Sequence, residues 1–210
     1  MSSDLLLAFV IVLPLLLVSL VVHELAHGWA ALRLGDPTAR EQGRLSLNPL
    51  RQLDPWGTVV LVVSFLGSGG SFFFGWARPV PISPWRFKDP QRGMMLVGAA
   101  GPAANLALAA FAAAGVWLTY GPAPFVAEIL ALAFVLNVVL ALLNLVPVPP
   151  LDGSRVVGGL LPREMWLRWM ALDRYGNVVF VVLLVLLVAV PEVFSRTIGA
   201  ILERAFDLLP

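Results

Sequence analysis

Apolar and polar positions separate into blocks along this chain. Residues 5–22, 55–77, 94–118, 125–151 and 175–191 carry a single charge between them, Glu128. The blocks are 17 to 27 residues long, and about 20 mainly apolar residues suffice for a helix to cross a bilayer. The first block is predicted to continue as one helix to Leu34, kinked near Pro14, with Gly35 ending it. No Lys or Arg precedes it and no small-residue cleavage site follows, so it is expected to remain as a span rather than leave as a signal peptide. The block 55–77 differs from the others, because Gly67-Ser68-Gly69-Gly70 interrupts its middle.

The connections between blocks are rich in arginine. Residues 35–54 carry Arg40, Arg44 and Arg51, and residues 152–174 carry Arg155, Arg163, Arg168 and Arg174. Residues 78–92 carry Arg78, Arg86, Lys88 and Arg92 with four Pro. In the tail, 192–210, Phe194, Ile198, Ile201, Leu202, Ala205 and Leu209 are spaced roughly as one helical face. That pattern fits an amphipathic helix on the membrane surface, or the frayed end of a helix.

Composition narrows the class. Apolar residues make up 59% of the 210, against roughly 45–50% in soluble domains. Charged residues are 13%, too few to cover a soluble globule and too few for disorder. A net charge of +1 without a basic run argues against a nucleic-acid partner. The absence of Cys removes disulfides, thiol ligands and cysteine nucleophiles. The expected fold is a single all-α, polytopic membrane domain over residues 1–210. It has about four spanning helices, a re-entrant hairpin or fifth span at 55–77, and an amphipathic C-terminal helix.

His23-Glu24-Leu25-Ala26-His27 carries the chemistry, and it holds the only two His of the chain. Positions i and i+4 share a helix face, so His23 and His27 can offer two imidazoles to one ion. Glu24 lies about 100° further round, within reach of a water on that ion. This is the spacing of a metallohydrolase helix, in which two His hold zinc and the Glu is general base. A pair of surface His beside a Glu is the plainer reading. It fits poorly here, because the motif continues an apolar span, where polar side chains are costly and usually functional.

Zinc needs a third protein ligand and an open position. With no further His or Cys, that ligand must be a carboxylate. Of the 13 acids, 11 lie in polar connections, near termini or at span ends, and Glu24 has the base's role. Asp152 is left, at the end of Asn144-Leu145-Val146-Pro147-Val148-Pro149-Pro150-Leu151-Asp152. The prolines are expected to stop the helix and impose an extended, strand-like approach. Asp152 could also cap a helix over 153–161.

These residues, with Gly101-Pro102-Ala103-Ala104-Asn105 and Asp152-Gly153, resemble the site-2 protease family of zinc intramembrane metalloproteases. Gly43-Arg44-Leu45-Ser46-Leu47-Asn48-Pro49-Leu50 with Asp54-Pro55, and Gly75-Trp76-Ala77-Arg78-Pro79-Val80-Pro81, resemble its short bacterial branch. The resemblance covers residues 15 to 160. It implies one zinc per chain on His23, His27 and Asp152, with Glu24 as base. It implies cleavage of a membrane protein's transmembrane helix inside the lipid bilayer. It also places an Asn near the zinc, here Asn144, which could hold substrate backbone or the developing oxyanion, or cap carbonyls freed by Pro147 and Pro149. Asn105 reads either as an interhelical hydrogen bond or as a catalytic group, the first being favoured. The chain has no room for the PDZ domain of larger relatives and no helix before the zinc helix, so recognition by a periplasmic domain is not expected.

The ligands must meet, and this constrains the topology. His23 lies toward the C-terminal side of its helix, and arginine-rich connections lie in the cytoplasm. The site is therefore expected near the cytoplasmic face of a multi-pass cell-membrane protein. Block 125–151 must run toward that face and 94–118 away from it. Block 55–77 must then leave and return on one side, as a hairpin turning at Gly67 to Gly70. This puts 12 of the 14 Lys and Arg inside. A membrane zinc-binding or transport protein without hydrolysis explains the two His and Asp152 equally well, but gives Glu24 no task.

Overall fold

Three of the apolar blocks form helices long and apolar enough to cross a membrane. They are α1 (Ser3–Arg33), whose crossing part is Phe9–Arg33, α4 (Pro90–Thr119) and α5 (Pro124–Asn144). The computed structural model describes residues 3–68, 75–176, 178–179, 181–182, 199–201, 203–207 and 209–210. Most of the expected span at 175–191 lies outside these residues. Among the described residues the spans therefore number three, and no strand is present.

Local chemistry starts these helices. Asp89 accepts a hydrogen bond from Arg92 N at 3.1 Å with Pro90 in the first turn, and Pro124 opens α5. Both use the proline preference for a position whose N–H has no helical partner. α1 runs through Pro14 as one helix. α4 is the central element, packed against α1, α5 and α6 (Asp152–Leu160). Cross-links pair residue 27 with 97, 23 with 105 and 19 with 137. α1 and α4 are thus antiparallel, while α1 and α5 run the same way. Outward-facing Val10, Val18, Phe111, Leu118, Phe125 and Val126 are exposed, as expected of helices whose solvent is lipid.

The segment 55–77 leaves and returns at one place. Asp54 caps α3 (Pro55–Gly67), its Oδ1 accepting from Gly57 N at 2.8 Å. With 13 residues, α3 is about 20 Å long, short of the roughly 30 Å hydrocarbon layer. Phe65 near its far end meets the Phe9 ring at 5.1 Å between centroids. The returning chain forms an antiparallel bridge between Leu53 and Ala77, and Arg78 N donates to Gln52 O at 2.7 Å. Gly57 has to be glycine here, since a Cβ would overlap the Trp76 carbonyl. Of the expected turn, Gly69 and Gly70 lie outside the described residues.

Two buried polar knots tie the connections down. Asp36, fully buried, accepts from Thr38 N at 3.0 Å, from Thr38 Oγ1 and from Ser83 N at 2.6 Å. Arg44, 7% exposed, donates from Nη2 to Gln52 Oε1 at 2.8 Å and to Arg78 O at 2.6 Å. Burial, with Arg78 close by, pushes its guanidinium below the ordinary value.

One expectation is corrected. The chain between α5 and α6 is not strand-like. The prolines remove donors, and the remaining amides close tight turns, Val148 N to Val146 O at 2.8 Å and Leu151 N to Val148 O at 2.9 Å. Among the described positions of the tail's apolar face, Ala205 and Leu209 pack against the cluster of Ala109, Ala112, Phe134 and Val138, and the Phe206 ring meets Phe134 at 6.4 Å, while Ile201 is exposed.

Candidate metal centre

His23 and His27 lie one turn apart on α1, near the end from which the arginine-rich connections leave. Their rings stand nearly perpendicular, at 85°. Asp152, the first residue of α6, meets both. Its Oδ2 is 3.1 Å from each Nε2, and the two Nε2 atoms are 3.0 Å apart. All three side chains are buried, at 5–7% exposure. The capping position before α6 is held by Leu151, and the Asp152 side chain makes no cap bond, so the helix-capping alternative for Asp152 does not hold.

The far side of each ring shows what the near side offers. His27 Nδ1 lies 2.7 Å from Val97 O, a carbonyl that can only accept. His23 Nδ1 lies 2.5 Å from Asn105 Oδ1, also an acceptor. In the neutral imidazoles the ring proton is therefore on Nδ1, and each Nε2 presents a bare lone pair. Two lone pairs and a carboxylate oxygen face one another at 3.0–3.1 Å with no proton between them. Asp152 Oδ2 is buried without a hydrogen-bond donor. Such a set repels itself unless a cation sits among it. Nitrogen and oxygen ligands at about 2.0–2.1 Å in a tetrahedron lie roughly 3.3 Å apart, close to the spacing here. The residues fit zinc.

α4 supplies the cradle. Val97, Gly101 and Asn105 are successive positions four apart, hence one face. Val97 and Asn105 hold the two Nδ1 atoms, and Gly101 lies between them, under the rings. A Cβ on Gly101 would stand 2.5 Å from Cε1 of both His23 and His27.

Glu24 is half-buried, and its Oε2 accepts from Val80 N at 3.0 Å. That amide belongs to the chain returning from α3, which ties the hairpin to the residue beside the metal ligands. Asn144 is the last residue of α5, and its Nδ2 donates to Leu140 O at 2.9 Å. No hydrogen bond joins it to His23, His27 or Asp152 among the described residues.

Asn105 makes the interhelical contact favoured for it, and makes it to a metal-site histidine. The sequence reading missed what stands behind it. Asn105 Nδ2 donates to Asn137 Oδ1 at 2.9 Å, and Asn137 Nδ2 donates to Ser19 Oγ at 2.9 Å. The signal for both was available: Asn137 is a lone amide in an apolar run, and Ser19 precedes His23 by four residues.

Residues 122–190 match peptidase family M50. The chain is 40% identical over 178 residues to the candidate zinc metalloprotease YwhC of Bacillus subtilis, covering 81% of this chain and 78% of YwhC. It is 38% identical over 147 residues to the candidate zinc metalloprotease Rip2 of Mycobacterium tuberculosis, covering 69% of this chain and 55% of that protein. Rip2 of Mycolicibacterium smegmatis is 34% identical over 179 residues, covering 84% and 67%. No solved structure matches the chain.

Proposed function

The chain belongs to peptidase family M50, the site-2 protease family of zinc metalloproteases, and from that premise we propose that it cuts peptide bonds within the membrane, in or near a transmembrane helix of a membrane-protein substrate. His23, His27 and Asp152 would hold one zinc per chain. The observation that carries this reading is the convergence of three lone-pair atoms at 3.0–3.1 Å in a helix frame built for lipid. Bound there, zinc supplies a Lewis acid that polarises a carbonyl and makes water nucleophilic near neutral pH.

The chain's own residues do the rest. Glu24 takes a proton from the water attacking the scissile carbonyl and returns it to the leaving amine as the C–N bond breaks. Its Oε2 is held by Val80 N–H, which aims the carboxylate and leaves Oε1 to carry the proton. A helical substrate keeps its carbonyls in hydrogen bonds, so it must unwind locally first. The stretches around residues 44–50 and 76–84, non-helical over 44–48 and 76–83, could receive the unwound strand, the second of them already bonded to Glu24 through Val80 N.

The site belongs on the cytoplasmic side. The polar connections at its level carry 12 of the 14 Lys and Arg, and positive charge is kept inside. The segment 55–77 then enters from that side and returns to it as a hairpin.

Metal analysis and proteomics test this together. The wild type should carry one zinc, and His23→Ala and Asp152→Ala should lose it. Glu24→Gln should keep zinc while cleavage falls on the order of 10²–10⁴-fold, leaving an uncut membrane substrate in cells that carry it. Near-normal cleavage by Glu24→Gln removes Glu24 as base, and full zinc in either ligand variant removes the site.

A further inference from the structure

The hydrogen bonds behind His23 have a direction, and backbone carbonyls set it. Asn137 Nδ2 lies 2.9 Å from Ala133 O, and Ser19 Oγ lies 2.8 Å from Leu15 O. A carbonyl oxygen only accepts. Ser19 therefore donates to Leu15 O and has lone pairs left to receive Asn137 Nδ2 at 2.9 Å. With its amide nitrogen committed twice, Asn137 turns Oδ1 toward Asn105 Nδ2 at 2.9 Å. Asn105 Nδ2 also faces Ser19 O at 3.5 Å. Flipping Asn105 would set its oxygen against two acceptors. Asn105 Oδ1 must then face His23 Nδ1 at 2.5 Å, and only an Nδ1 that carries the proton can meet it.

We propose that Asn137, backed by Ser19, is a positioning residue that fixes which nitrogen of His23 is bare, acting through Asn105 across three helices. The inference rests on the metal-site reading above and goes beyond it, since among the described residues no hydrogen bond joins Asn137 to His23, His27 or Asp152. His27 needs no such relay, because the Val97 carbonyl orients it directly. The two histidines therefore differ in a way that mutation can expose. Both asparagines and Ser19 are buried, at 0–3% exposure, and in a hydrocarbon surrounding an unpaired amide is costly. Removing the Asn137 oxygen leaves Asn105 free to flip and donate to His23 Nδ1, which drives the proton to Nε2 and blocks metal binding.

The chain has only two His, so imidazole nitrogen NMR on histidine-labelled, metal-stripped protein in nanodiscs resolves each tautomer. In the wild type, His23 is expected with its proton on Nδ1. In Asn137→Leu, His23 should shift toward the Nε2–H form, and zinc affinity, read by chelator competition, should fall about tenfold. The His27 signals should stay as they were. A folded Asn137→Leu with the wild-type His23 tautomer and zinc affinity within about twofold overturns the proposal. If that variant does not fold, a wild-type His23 protonated on Nε2 overturns it as well. Full zinc in His23→Ala instead overturns the metal-site reading beneath it.

Discussion

Gly101→Ala adds one methyl group at the point where α4 touches both imidazoles. The new Cβ would stand 2.5 Å from Cε1 of His23 and of His27, where carbon atoms rest at about 3.5–4.0 Å. The overlap is roughly 1 Å on two rings at once. Neither ring can swing aside cheaply, since each is pinned through Nδ1 to α4 itself, one turn either side of the glycine. Backing α4 away relieves the clash only by stretching those same bonds. Overpacking of this kind costs about 1–3 kcal/mol. Helix propensity alone points the other way, because Gly to Ala in a helix interior is worth about 1 kcal/mol of stability. The two arguments predict opposite signs. Zinc affinity should fall at least tenfold, in the range of about 10–100-fold seen when a ligand's supporting shell is disturbed. Gly115→Ala is the control on the same helix, since its Cβ would meet only the movable end of Leu130. Purified variants would be compared by chelator competition and by thermal unfolding with and without zinc. Gly101→Ala binding zinc as tightly as the wild type, or unfolding at a higher temperature, would falsify the cradle reading.

Three further outcomes follow from other parts of the frame. Asp36→Ala should destabilise the protein by roughly 1–3 kcal/mol, because the half-buried Ser83 N and Thr38 N lose their fully buried acceptor; an unchanged melting curve would contradict it. Leu53→Cys with Ala77→Cys, in a chain that has no other Cys, should cross-link with a short reagent, since the two residues pair directly; ends separated by a full span would lie about 30 Å apart and stay uncoupled. Single substitutions Arg86→Cys and Gly121→Cys should react with an impermeant thiol reagent from opposite faces of the cell membrane, and reaction of position 86 from outside would remove the hairpin topology.

What the sequence disclosed and what it hid divide along a physical line. His23 and His27 were legible because a 3.6-residue helix puts i and i+4 together whatever surrounds it. Asp152 was legible because a chain without Cys and with two His leaves few acids to complete a ligand set. The return of residue 77 to residue 53 followed from requiring two ligand segments at one level. The partners that orient these groups were harder. Val97 O and Val80 N are backbone atoms, so no residue letter marks them. Asn137 sits in a run of apolar residues with no polar face, and the run alone does not say which way α5 is turned. Spacing to Asp152 does not say where a helix ends; α5 carries Asn144 to its last turn, and its side chain donates to Leu140 O. Periodicity marks Ala205 and Leu209 as apolar positions of the tail but does not say whether lipid or the Phe134 cluster covers them.

The lipid setting itself makes the centre rigid. In a water-filled cleft, an imidazole or amide that leaves its partner finds solvent and loses about 0.5–1.5 kcal/mol of net hydrogen bonding. Between α1, α4 and α5 there is no such substitute, and each stranded polar group costs several kcal/mol. The chain Ser19, Asn137, Asn105, His23 closes on backbone carbonyls at its far end, so no member can rotate without stranding a neighbour. His27 is closed by Val97 O in one step. The same expense that makes polar residues rare in spanning helices thus selects a single arrangement of both rings, with their lone pairs turned toward Asp152. The preorganisation that a metal site needs comes here from the intolerance of the surrounding solvent, and Gly101 is the position under both rings that must stay empty for it to form.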